Sequence, residues 1–137
     1  MVNEAVLLRQ YSIPIQYTCA DGVGIEKGTI LKLTDPNTAA LSTAATDMIA
    51  GICASEKIAS NGITKVAVHR DGEFKVYCSG SVAVGTALSS CVSDGNYVAA
   101  AAVTASGSCV LGYALETATA GETFRMRLHI GAGGGIA

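Results

Sequence analysis

Three features of the sequence predict an all-β fold in one compact domain, a sandwich or barrel-like pair of related β units with an extended N-terminal arm. The first is composition. The chain has 137 residues, half of them hydrophobic, with 16 glycines against two prolines and no tryptophan; small, β-branched and turn-forming residues of this kind build short strands and tight turns. The second is alternation of polar and apolar residues over several short runs, a period of two that belongs to strands. The third is an internal repeat with copies about 60 residues apart. Gly28-Thr29-Ile30-Leu31 returns as Gly85-Thr86-Ala87-Leu88, and Ala50-Gly51-Ile52-Cys53-Ala54 returns as Leu111-Gly112-Tyr113-Ala114-Leu115. Two copies are too few for a solenoid, so one domain of two units is expected, over residues 24–80 and 81–131.

Residues 1–20 precede the repeat. Tyr11, Ile13, Ile15 and Tyr17 alternate with polar residues and Pro14. Proline lacks the N–H that an interior ladder needs, so this segment reads as an edge strand or an arm. The apolar Ala5-Val6-Leu7-Leu8 before it is too short to be a helix by itself. In the first unit, strands are expected from residue 29 to 33 and from 48 to 54, with a turn at Thr34-Asp35-Pro36-Asn37; residues 38–46 read as a strand or an irregular loop. Residues 64–70 and 73–78 read as a hairpin. A three-residue loop at Arg70-Asp71-Gly72 would pair Val68 with Phe74 and Val66 with Val76, and Gly72 would take the left-handed position that closes it. His69, Lys65, Glu73 and Lys75 would then face solvent. In the second unit, residues 97–103 and 123–130 read as strands, and the glycine-rich residues 132–137 as a flexible tail.

The same residues bound the function. Only 15% of the chain is charged and the net charge is −2. So little charge is unusual for a monomer's surface and implies cover by other subunits; the balance gives no reason to expect nucleic acid. No run of 18 apolar residues is present, so no membrane-spanning helix is expected, and the N-terminus lacks the basic start and apolar block of a signal peptide. Cys19, Cys53, Cys78, Cys91 and Cys109 are an odd set without the close pairs of a zinc site. They read as small buried residues of a protein made in a reducing cytoplasm.

Catalytic readings fail for want of partners. Asp71 lies near His69 in sequence, but in a turn beyond the strand, and no Gly-x-Ser-x-Gly elbow supplies a serine for His69 or His129. No catalytic, metal or cofactor site is expected. Lys57 allows a carrier alternative, since lipoyl- and biotin-bearing domains are also small duplicated β folds with one displayed lysine. The second copy, however, has Thr117 after Glu116 where the first has Lys57 after Glu56. Arg125, Arg127 and His129 form a basic stripe, alternate residues of a strand lying about 6.8 Å apart; it is either a solvated face or a docking strip for acidic groups of a protein.

Gly24-Ile25-Glu26-Lys27-Gly28-Thr29-Ile30-Leu31-Lys32-Leu33-Thr34-Asp35-Pro36, with Ile49-Ala50-Gly51-Ile52-Cys53-Ala54-Ser55-Glu56-Lys57, Arg70-Asp71-Gly72-Glu73-Phe74 and Gly112-Tyr113-Ala114-Leu115-Glu116, resembles the capsid cement or decoration proteins of tailed phages over residues 11–135. The resemblance implies a non-enzymatic, β-rich protein added to the outside of an icosahedral head. It implies a homotrimer that clamps major capsid subunits. The glycine framework that carries over is Gly28, Gly51, Gly72, Gly85, Gly112 and Gly131. Tyr11, Ile13, Ile15, Tyr17, Arg125, Arg127 and His129 are the expected capsid or subunit contacts. The alternatives are another virion part, such as a head-fibre base, or a β-sandwich binding module.

Overall fold

The computed structural model describes residues 4–42, 48–90, 98–100 and 110–130. The described residues form eleven strands and no helix: β1 (Val6–Arg9), β2 (Ile15–Thr18), β3 (Ile30–Asp35), β4 (Thr38–Leu41), β5 (Ile49–Cys53), β6 (Lys65–His69), β7 (Asp71–Tyr77), β8 (Ala87–Ser90), β9 (Val98–Ala100), β10 (Gly112–Ala114) and β11 (Thr123–His129). Strands β2-β4-β3-β5-β6 close into a small barrel, and β1-β7-β11-β10-β8-β9 form a six-stranded sheet. The predicted all-β class is observed.

The internal repeat has a structural counterpart at the level of register. Leu31 of β3 lies opposite Gly51 of β5, and Leu88 of β8 lies opposite Gly112 of β10. The isolated bridges Ile25↔Lys57 and Val82↔Ala118 match in the same way. Each unit also has a parallel contact, Thr18↔Thr38 in the first and Cys78↔Val98 in the second. The order β7-β11-β10-β8-β9 therefore repeats the barrel order β2-β6-β5-β3-β4, with β1 added to the outer edge of β7. This pairing divides the units at Arg70 and starts the first with β2, rather than dividing them after residue 80 and starting at residue 24.

Two expectations are corrected by the same pairing. The 64–70 and 73–78 hairpin does not form: β6 pairs with β2 and β5, while β7 pairs with β1 and β11. Val66 and Val68 fill the barrel interior, and Phe74 and Val76 fill the other core. Alternation reports which residues share a face, but not which sheet owns the strand. Gly72 does have positive φ, 140°, yet it lies inside β7 opposite Leu128 instead of closing a loop. A Cβ there would sit 2.9 Å from the Arg9 carbonyl oxygen of β1.

The N-terminal segment is extended as read, but its own chain receives it. β1 adds to β7, with Leu7 opposite Phe74. β2 lies between β6 and β4 and closes the barrel. Between the units, Ala5 donates its N–H to the Gly28 carbonyl at 3.1 Å. Gly28 has φ 89°, and a Cβ there would meet the Ala5 carbonyl at 2.7 Å; one on its repeat partner Gly85 (φ 87°) would meet nothing within 4 Å among the described residues. Gly131 and residues 132–137 lie outside the described residues.

Strand β5 explains how two cores share one chain. All five of its residues are buried. A register shift against β3 places Ala50 as an extra residue, and such a bulge inverts the facing of the residues after it. Ala50 and Cys53 thus join the barrel core, while Ile49 and Ile52 join the larger core with Phe74, Phe124, Met126 and Leu128. The β3–β4 connection is the predicted turn. Pro36 fixes its own φ, and Asn37 takes φ 53°, the left-handed second position of a tight turn that asparagine tolerates.

Candidate functional site

The most structured polar surface lies on the outer face of the six-stranded sheet. Alternation along β7 and β11 buries Phe74, Val76, Phe124, Met126 and Leu128 and turns Asp71, Glu73, Lys75, Arg125, Arg127 and His129 outward. Three charged residues of β7 then oppose three basic residues of β11: Asp71↔His129, Glu73↔Arg127 and Lys75↔Arg125. The basic stripe read from sequence is therefore real as a face, but only part of it is free.

Arg127 is committed. Its Nε donates to Asp71 Oδ1 at 2.9 Å, and its guanidinium lies 4.3 Å from the centre of the Tyr11 ring. This combines a charge-assisted hydrogen bond with a cation–π contact. Arg127 holds the Asp71 carboxyl below the usual carboxylate range, and Asp71 raises Arg127 in turn. Tyr11 Oη donates to the Glu73 carboxylate, which also pairs with Arg9 at 3.6 Å. Tyr11 is thus clipped onto its own sheet and is 45% exposed. In contrast, neither Lys75 nor Arg125 has an ion-pair partner among the described residues. His129 is exposed.

The other expected contacts separate. Ile13 is 82% exposed and Ile15 52%. Tyr17 is not a surface residue: its ring is buried in the barrel, and its hydroxyl accepts a bond from Arg70 at 2.9 Å. Alternation placed Ile15 and Tyr17 on one face, but along β2 Tyr17 turns into the barrel core while Ile15, at the start of the strand, stays exposed. His69, expected outside, is also buried, edge-on to Phe74 with ring centres 5.4 Å apart. Burial foremost, with Lys27 nearby, lowers its pKa.

Lys57 cannot display a prosthetic group. Its side chain is wholly buried, and Nζ donates to the carbonyls of Asp21 (2.6 Å), Val23 (3.2 Å) and Ile58 (3.1 Å). It knits the loops at the barrel tip, where a buried ammonium needs that number of acceptors. The matching position in the second unit is Ala118. Cys19, Cys53 and Cys78 are free thiols in the cores. Burial pushes Cys19 and Cys53 up, away from the reactive thiolate. Cys91 and Cys109 lie outside the described residues. No group of His, Cys, Asp and Glu suited to a metal occurs among the described residues.

The surface thus offers a charge ladder flanked by apolar residues, held on a rigid sheet, and the sequence agrees with a known family. A family model described as phage cement protein matches residues 9–130, spanning both units. The chain belongs to the phage cement protein family. It is a structural protein of the phage head. The fold is also similar to a solved structure, the N base of head fiber gp8.5 in bacteriophage phi29. The TM-score is 0.54 and the identity 16%, covering 83% of this chain and 92% of that one. No curated protein matches the chain by sequence.

Signals that sequence reading missed are all long-range. Lys75 and Arg125 are both exposed, but only the β7–β11 pairing sets them opposite each other. Val6 and Leu8, 52% and 45% exposed on β1, carried no periodicity that marked them as a strand.

Proposed function

We propose that this cement protein binds the outer surface of an assembled head and bridges neighbouring major capsid subunits as a homotrimer. The family match over both units carries this reading. The family implies a mechanical rather than enzymatic role. A protein that binds the assembled shell, and not its separated subunits, stabilises the shell by mass action. Three linked copies add avidity without new contacts. Exposed Ile13, Ile58 (68%) and Val84 (64%) supply apolar area for subunit or capsid contact, and the sparse charge of the chain supports burial in an assembly. Tyr11, Ile13, Ile15, Arg125 and His129 are the contacts proposed from the predicted set; Arg127 serves them indirectly by holding Tyr11.

The test is to add purified protein to heads assembled without it. The heads should sediment with the protein bound and dissociate at a higher temperature, while light scattering gives a trimer mass. Unchanged heads, with the protein left in the supernatant, would reject the reading. The base of a head fibre is a second reading, favoured by the fold likeness to the phi29 head-fibre base. A reconstruction of decorated heads separates the two, since a base carries a further fibre outward and a cement protein does not.

A further inference from the structure

The outer face of the six-stranded sheet contains one pairing that works against the fold. Opposite charges set across paired strands stabilise a sheet, and like charges set directly opposite destabilise it. Glu73↔Arg127 follows the favourable rule, and Asp71↔His129 never sets two positive charges together; Lys75↔Arg125 breaks it. Both side chains are exposed, and the nearby acids are engaged elsewhere. Asp71 is bound by Arg127, and Glu73 by Arg9 and Tyr11. Glu116 lines the same cleft, but its Oε1 accepts the backbone N–H of Arg125 at 2.8 Å, so two cations face one carboxylate there.

The confrontation sits in a defined place. Leu8, Lys75, Glu116, Thr123, Phe124 and Arg125 line a cleft of about 320 Å³. Val6 lies opposite Lys75 on the next strand, so apolar Val6 and Leu8 border the basic pair on one side. The first unit has nothing comparable: its matching pairs are Gln16↔Ala67 and Thr18↔Lys65. The feature therefore belongs to one unit and is not required by the shared architecture.

We propose that the Lys75–Arg125 cleft receives an acidic side chain of the capsid protein, flanked by apolar residues that pack on Val6 and Leu8. This rests on the capsid-binding reading above and names the part of the surface that does the binding. A carboxylate placed between the two cations relieves their repulsion on binding, so the pair favours the complex over the free protein. A single pair bordered by apolar side chains fits a protein carboxylate. A nucleic-acid backbone would call for a longer basic track.

The discriminating variant is Lys75→Glu, which turns the repulsive pair into an attractive one. Its melting temperature should equal or exceed that of the wild type, while its affinity for heads lacking the protein should fall by about tenfold or more. Wild-type binding should weaken with added NaCl, and the variant should lose most of that dependence. Lys75→Gln and Arg125→Gln, which cannot form a new ion pair, should weaken binding in the same direction and cover the case of a misfolded Lys75→Glu. Lys65→Glu makes the same charge change on the barrel and should bind as the wild type does. Wild-type affinity and salt dependence in both Lys75 variants would overturn the inference while leaving the capsid reading intact. So would an equal loss in Lys65→Glu, which would reduce the effect to net charge. Tight binding to free duplex DNA that Lys75→Glu abolishes, with binding to empty heads retained, would also overturn it. If the wild type fails to bind heads at all, the capsid reading itself falls, and this inference with it.

Discussion

His69 is buried at the join between the two units, and its Nδ1 has no hydrogen-bond partner among the described residues. It lies against Phe74 and lines a cavity with Glu4, Leu7 and Lys27. Its folded pKa is below the ordinary 6.5, through burial first and Lys27 second. The unfolded chain then binds the proton more readily than the folded one. Its contribution is whole above the ordinary value and is lost as pH falls from there towards the folded value. The denaturant midpoint should therefore drop as pH falls below the ordinary 6.5, and His69→Gln should flatten that slope. A slope unchanged in the variant would assign the effect to another group. Asp71 acts in a separate, lower window, because its pKa is depressed and its contribution is lost only as pH falls below the carboxylate range. Lys57 makes the contrasting case at this scale. Its position after Glu56 was legible, but its burial was not, since the three carbonyls around it come from two loops that only folding brings together.

Among the elements, the matched pairs β5–β6 and β10–β11 depend on close backbone approach. A Cβ on Gly51 would lie 2.1 Å from the His69 carbonyl oxygen, and one on Gly112 would lie 1.9 Å from that of Arg127. These are equivalent strands of the two units meeting in the same way, so the repeated glycines mark contacts and not only turns. Gly51→Ala and Gly112→Ala should each cost about 1–3 kcal/mol, the scale of forced overpacking. Gly22→Ala and Gly80→Ala, with open space and no positive φ, should stay within about 0.5 kcal/mol of the wild type. Chemical denaturation of the four variants checks both halves, and equal effects at all four positions would refute the contact explanation. This also shows what local sequence can and cannot reveal. β3, β5, β6 and β11 were legible because their alternation or glycine spacing is local. The partners of β6 and β7 were not, since two short runs with the same period fit one hairpin as well as two sheets. The basic face of β11 was visible, whereas its neutralisation at Arg127 and its conflict at Arg125 depend on strands about 50 residues earlier in the chain.

For the whole molecule, the N-terminal segment binds the two units into one body, and this can be tested by truncation. Removing residues 1–9 takes away β1 and Ala5. The six-stranded sheet then loses an edge, and Gly28 and Leu7's site beside Phe74 become open. A sheet tolerates loss of an edge strand better than loss of an interior one, so this truncation should fold with a lower midpoint. Removing residues 1–18 also takes β2, which holds the barrel closed between β6 and β4, and takes Tyr17 out of its core. Loss of a buried aromatic side chain alone costs about 3–5 kcal/mol, comparable with the whole stability of many domains. The damage should not stop at the barrel. Ile30, Ile49 and Ile52 project from barrel strands into the core that Phe74, Phe124 and Met126 share, so a disordered barrel exposes the other sheet. The longer truncation should therefore lose near-ultraviolet circular dichroism and cooperative unfolding together, while the shorter one keeps both. If the longer truncation keeps a cooperative transition with a proportionally reduced denaturant slope, the six-stranded sheet folds without the barrel, and the shared core is not what joins them.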